Sequence, residues 1–222
     1  KAVVSGASVQ ITDCYYLNTC GKAQGDKITE AQLKNGYVAY KLQKGIESQV
    51  WGQTLGTDTI PQPTTDAKKR VYEVKFTYNG EVKATRYANR GGNVGTLPTP
   101  QEILGTAYNA ANSYRLVFAE GFYAEYPIYA DRTVAVDVIV NNMCEIATKE
   151  DWKKFCGLVK KGQQNLNAKM TKDVDLGTEI IMAGERDIEY SGTFDGQGHT
   201  LKFNWTGDHT GWLAPFRYVK DV

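Results

Sequence analysis

Histidine is nearly absent, with two in 222 residues, His199 and His209, which leaves little material for imidazole catalysis. No run of eighteen apolar residues occurs, so no membrane-spanning helix is predicted. The opening Lys1-Ala-Val-Val-Ser-Gly lacks the apolar stretch of a signal peptide, and any export signal is expected upstream of it. Excess charge is missing too. The 26 basic and 25 acidic residues are interspersed and leave a net charge of +1, which offers no electrostatic footprint for nucleic acid or for an anionic membrane. The cysteines Cys14, Cys20, Cys144 and Cys156 show no paired C-x-x-C spacing, which argues against a thiolate zinc site. The glycine clusters Gly91-Gly92-Asn-Val-Gly95 and Gly196-Gln-Gly198 are not followed by a lysine and a hydroxyl residue. They read as turns, and no nucleotide or other cofactor is implied.

Tyrosine and glycine are plentiful, at 14 and 22 residues, and 41% of the chain is hydrophobic, enough for a core. That composition leans towards an extracellular, β-rich protein. Four cysteines permit three full pairings. Cys14 and Cys20 flank a five-residue loop and form the candidate disulfide, whereas Cys156 sits in a helical pattern as a small buried hydrophobe.

Local patterns predict mainly short strands. Val9 and Ile11 alternate with polar neighbours as in a half-buried strand. Thr29 and Gln32 form a capping box for a short helix that pauses at Gly36. Pro61-Gln-Pro63-Thr-Thr-Asp reads as a linker. Val71–Tyr78 alternates, Asn79-Gly80 marks a hairpin, and the second strand runs through Tyr87. Pro98 and Pro100 mark a bend, and residues 114–118 and 133–140 supply further strands. Thr148 and Asp151 form a second capping box ahead of Trp152, Phe155, Cys156 and Val159 at helical spacing, ending near Gly162. Leu166–Met170 and Glu179–Met182 read as short strands.

The segment Tyr190-Ser-Gly-Thr-Phe-Asp-Gly-Gln-Gly-His-Thr-Leu201 reads as a strand, a glycine-rich corner and another strand, like one rung of a β-solenoid. With Leu166-Asn-Ala-Lys-Met-Thr-Lys-Asp-Val-Asp-Leu-Gly177 before it, it resembles the opening of GLUG-repeat bacterial surface proteins over residues 146–216. In that family a helix precedes a parallel β-helix. The resemblance implies a solenoid capped by the residue 148–160 helix. Asp13-Cys-Tyr-Tyr-Leu17, Val38-Ala-Tyr-Lys-Leu42 and Trp51-Gly-Gln53 resemble the closing section of the same solenoids. Val74, Phe76, Asn79, Gly80, Gly91, Val94 and Pro98 resemble the β-grasp-like spacer of the internalin B-repeat type. The expected fold is therefore mainly β with short α-helices: residues 1–66 the end of one β-solenoid, 67–141 a β-grasp-like spacer, and 142–222 a helical cap with the first rungs of another. Such a chain is expected to be a piece of a longer protein.

Candidate chemistry is sparse. Asp173 and Asp175, with Glu185, Asp187, Glu189 or Asp195, have the composition of a calcium site or an acid–base pair, against the simpler reading that aspartates satisfy turn amides. His199 and His209 with Asp195 and Asp208 suggest a hydrolytic base, but no serine or cysteine stands in a nucleophile elbow. Of Tyr108, Tyr114, Phe122, Tyr123, Tyr126 and Tyr129, the group Phe122, Tyr123, Tyr126 and Tyr129 is the candidate ligand-binding set, since rigid amphipathic rings bind at low entropic cost; core packing is the alternative. The expected function is a non-catalytic structural or adhesive part of a secreted or cell-surface bacterial protein, with a host protein or glycan as partner and edge-strand self-association. The alternatives are a carbohydrate-binding module using the Tyr-rich surface, or an accessory region of a large secreted protease or polysaccharide-degrading enzyme.

Overall fold

The computed structural model describes residues 12–18, 25–205 and 213–220. It is sheet-rich with a few short helices, as the sequence predicts. Among the described residues no helix is long and apolar enough to cross a membrane.

Strand β1 (Tyr15–Tyr16) runs parallel to β2 (Asp26–Lys27). Thr29 then caps helix α1 (Glu30–Lys34): its hydroxyl accepts from Gln32 N at 3.1 Å, and the Gln32 side chain accepts from Thr29 N at 2.9 Å, the expected box. Gly36 follows at φ +95, where a Cβ would lie 2.9 Å from Leu55 and 3.0 Å from Val71, and opens α2 (Tyr37–Gln43). Strands β3 (Trp51–Gly52) and β4 (Gln62–Pro63) pair antiparallel. The hairpin of β5 (Val71–Tyr78) and β6 (Glu81–Asn89) turns at Asn79 and Gly80, whose φ angles of 50 and 80 suit a two-residue turn between twisted strands. Where a bend was expected, Pro100 instead opens helix α3 (Pro100–Leu104), because Thr99 accepts from Glu102 N at 3.2 Å and Glu102 accepts in return from Thr99 N at 2.8 Å. After β7 (Tyr114–Phe118) come β8 (Arg132–Val140), β9 (Met143–Ile146), α4 (Lys149–Lys160), β10 (Asn167–Met170), β11 (Val174–Asp175), β12 (Phe194–Asp195) and β13 (Leu201–Lys202).

The chain divides into two compact units, residues 1–103 with 118–135, and residues 104–117 with 136–222. In the first, both faces of β5 are covered. Val71 packs on Ala39 and Tyr40 of α2, with Leu55 and Tyr87 beside them. Val74 and Phe76 point the other way and are fully buried. Phe118 and Phe122 meet Phe76 edge-on at 5.8 and 5.6 Å. The first residues of β8 run parallel to β5, Val74 opposite Arg132 and Phe76 opposite Val134. A parallel neighbour demands a long connection, and residues 90–131 supply it.

In the second unit β8 turns at Asn141 and Asn142, both at positive φ, into β9. Thr148 and Asp151 form the expected box at 3.1 and 3.0 Å, and α4 carries the chain to β10, parallel to β9. Then β12 lies parallel to β10 with Phe194 opposite Ala168, and β13 parallel to β11 with Leu201 opposite Val174. Single parallel bridges join Ala183 to Phe216 and Tyr190 to Val219. The chain thus passes four places twice in the same direction. Side chains pin one pass to the other: Asn167 Oδ1 accepts from Thr193 N at 3.0 Å, 26 positions on, and Asp173 Oδ1 from Thr200 N at 2.8 Å, 27 positions on. Trp205 Nε1 donates back to the Glu179 carbonyl, again across 26 positions.

The space between these passes and α4 is filled by rings. Trp152 and Phe155 of α4 are fully buried; Phe216 stands 5.5 Å from Trp152, 4.9 Å from Phe194 and 5.5 Å from Tyr190. Burying each such side chain contributes about 2 kcal/mol. Glu179–Met182, expected as a strand, is irregular, and only the neighbouring Ala183 makes a bridge. Its groups are used otherwise: Trp152 Nε1 donates to the Ile181 carbonyl at 2.9 Å, and the Glu179 carboxylate binds Lys149 and Lys153 at 2.8 and 2.7 Å.

Candidate functional site

The Tyr-rich segment enters from β7 through a single helical turn at Ala119–Gly121, in which Glu120 takes φ +54. Phe122 follows and is 4% exposed, anchored on Phe76. Ile128, 1% exposed, is the second anchor: its N–H donates to the Gly92 carbonyl at 2.8 Å, and its own carbonyl accepts from Gly91 N at 2.6 Å. Between and beyond these two posts the tyrosines project. Tyr123 is 52% exposed and Tyr129 is 61% exposed.

Neither ring is without a setting. Tyr123 meets the edge of Tyr126 at 5.8 Å, and Tyr126 stacks on Phe122 at 5.2 Å and 25°. The guanidinium of Arg132 lies 4.5 Å from the Tyr126 ring centre, donates to its hydroxyl at 3.0 Å, and pairs with Glu120 at 2.5 Å. Tyr129 rests against Gly91, where a Cβ would come within 3.4 Å of the ring. All four residues of the candidate set therefore share one short stretch of the first unit, with Phe122 in the core and Tyr123 and Tyr129 at the surface. Arg132 and Glu120 were not picked out from the sequence, and Gly91 stood out only as a turn glycine; the strand expected over residues 133–140 begins one residue after Arg132 and says nothing of the ring it covers. Tyr108 and Tyr114 belong to the second unit and pair with each other at 5.2 Å, the Tyr114 hydroxyl accepting from Asn109 N.

Among the acidic candidates, Asp175 and Asp195 are engaged in turns. Asp175 Oδ1 accepts from Gly177 N at 2.8 Å while Oδ2 pairs with Lys202 at 2.9 Å, and these bonds lower its pKa, the Lys202 bond most. Asp195 Oδ1 accepts from Gln197 N at 2.9 Å, in a corner where Gln197 and Gly198 both have positive φ. Asp173 holds the Thr200 amide and lies 3.4 Å from His199 Nδ1. Glu185 pairs with Lys160 at 2.8 Å. Among the described residues no three His, Cys, Asp or Glu side chains are grouped to hold a metal ion. Asp208, His209 and Cys20 lie outside the described residues, and with Cys20 the proposed Cys14–Cys20 pairing. Cys156 is 2% exposed, as its helical position predicts, and burial pushes its thiol up to about 12; Cys144, half-buried, is pushed up to about 11 for the same reason.

Comparison with protein-family models, with curated proteins and with solved structures finds no match.

Proposed function

We propose that the chain is a non-catalytic scaffold of a secreted or cell-surface protein, in which the second unit is the helical cap and first coils of a β-solenoid and the first unit contains a β-grasp-like spacer. One observation carries this reading: four successive places in residues 167–190 are each paired, in parallel, with a place in residues 194–219, and side-chain bonds repeat at 26 or 27 positions. Parallel stacking of one pass of the chain on the next suits a part whose work is reach and display. The spacer reading is supported by the order hairpin, short helix, strand parallel to the first hairpin strand. Four of the acidic candidates support it too, because Asp173, Asp175 and Asp195 each hold a backbone amide and Glu185 pairs with Lys160.

The test is to insert three further copies of residues 167–192 after Gly192 in the full chain. Each copy should add one layer at the strand spacing of about 4.8 Å, so the particle should lengthen by roughly 14 Å in X-ray scattering, with a proportional rise in strand signal by circular dichroism. Inserted copies that stay protease-sensitive, with no added strand signal, would sink the solenoid reading. Antibody labelling of intact cells of the source organism tests the location, and signal confined to lysed cells would refute surface display.

A further inference from the structure

The corner formed by residues 119–132 has no part in a stacking scaffold, yet it is built with care. Exposed side chains are common, but these two tyrosines are exposed and also held. Phe122 and Ile128 fasten the segment to the core, two backbone bonds tie Ile128 to Gly91 and Gly92, and Tyr126 N donates to the Tyr123 carbonyl at 3.1 Å. Rings held in this way lose little entropy when a ligand arrives.

The surrounding chemistry narrows the ligand. Apart from glycine, alanine and proline, the exposed residues of 119–131 are Glu120, Tyr123, Glu125, Tyr129 and Asp131. Glu120 is already paired with Arg132, and Asp131 accepts from the Tyr40 hydroxyl at 2.9 Å and from Glu73 N at 3.0 Å; with Glu125 beside them the segment carries no surplus of positive charge to hold phosphate, sulfate, nucleic acid or an anionic membrane. No long aliphatic side chain is exposed there to seat an apolar protein helix. What fits is a molecule with an apolar face for a ring and neutral hydroxyls for carboxylate and guanidinium partners, which describes a pyranose.

We propose that Tyr123 and Tyr129, flanked by Glu120, Glu125 and Arg132, form a contact surface for a neutral glycan, the two exposed rings stacking on sugar faces while the charged side chains bond the hydroxyls. Glu120 and Arg132, already paired at 2.5 Å, present both an acceptor and donors. Tyr126 is a positioning residue that fixes Tyr123 through its edge contact and is itself fixed by Arg132. Sugar contact here does not depend on whether the second unit is a scaffold.

The experiment is titration of the 15N-labelled full chain with hexamers of β-1,4-linked glucose, N-acetylglucosamine, mannose and xylose, to roughly 10 mM, a range that covers millimolar dissociation constants. At least one hexamer should shift amides of 119–132 and of Gly91 and Gly92 in a saturable way. Tyr123→Ala or Tyr129→Ala should weaken that binding about tenfold, the worth of one lost stacking contact, while Tyr123→Phe should keep it. The same spectra report whether each variant is folded. No shift with any of the four, or shifts that survive both alanine variants, would overturn the proposal.

Discussion

Gly192→Ala should be far more damaging than a one-carbon change suggests. Gly192 lies where the second pass of the chain crosses the first, and an added Cβ would fall 2.3 Å from the Leu166 carbonyl oxygen and 2.8 Å from its carbon. Ordinary contact needs about 1 Å more. The obstruction is backbone, so no side chain can swing away, and the two passes must separate locally. Three bonds bracket the site: Ser191 N to the Gln164 carbonyl at 2.9 Å, Ala168 N to the Thr193 carbonyl at 2.8 Å, and Thr193 N to Asn167 Oδ1 at 3.0 Å. Lengthening them by that amount takes them past hydrogen-bonding distance. At about 1 kcal/mol net for each, the loss is about 3 kcal/mol. Gly157→Ala is the control, since it lies in α4 with nothing within 4 Å of its Cβ position, and should stabilise by up to about 1 kcal/mol. Urea unfolding followed by tryptophan fluorescence measures both, with Trp152 in the same core. A Gly192→Ala variant within about 0.5 kcal/mol of the parent would refute the close crossing, because a surface change of no structural consequence gives that much.

Tyr190 is 1% exposed, and among the described residues its hydroxyl has no hydrogen-bond partner, so Tyr190→Phe should be neutral or stabilising by about 1 kcal/mol near pH 7. Burial raises its phenol from the ordinary 10 to about 12; the unfolded chain therefore loses this proton first, and stability should fall between pH 10 and 12. The urea midpoint of Tyr190→Phe should fall less steeply across that window, and parallel pH curves would contradict the assignment. Cys156, with its thiol raised from 9 to about 12, should carry about a thousandfold less thiolate than an unperturbed thiol at a pH well below 9. Mapped alkylation at pH 8 should leave it unmodified until urea unfolds the second unit, and native labelling as fast as in the unfolded chain would show the core to be open.

Features written in three or four adjacent residues were legible. Thr29 with Gln32, Thr148 with Asp151, and Asn79-Gly80 each close their bonds locally, so the pattern determines the geometry whatever surrounds it. Thr99-Pro-Gln-Glu102 carries the same signal and makes α3, but the paired prolines Pro98 and Pro100 masked it as a bend. Glu179–Met182 shows the opposite case, where the partners of the backbone and carboxylate sit on α4, some thirty positions upstream in sequence. The Tyr-rich corner is mixed: aromatic composition drew attention to it, whereas the burial of Phe122 and Ile128 against the exposure of Tyr123 and Tyr129 depends on Phe76 and on the Gly91–Gly92 backbone, both distant in the chain.

The interval between paired places is not constant: it is 26 at Ala168 and Phe194, 27 at Val174 and Leu201, but 33 at Ala183 and Phe216, and 29 at Tyr190 and Val219. Each corner meets its counterpart through its own bonds, so extra length taken up on one side need not disturb pairing on the others. A chain organised in this way can accept insertions and deletions at a corner, and try new surface loops there, while the layers beneath keep their alignment.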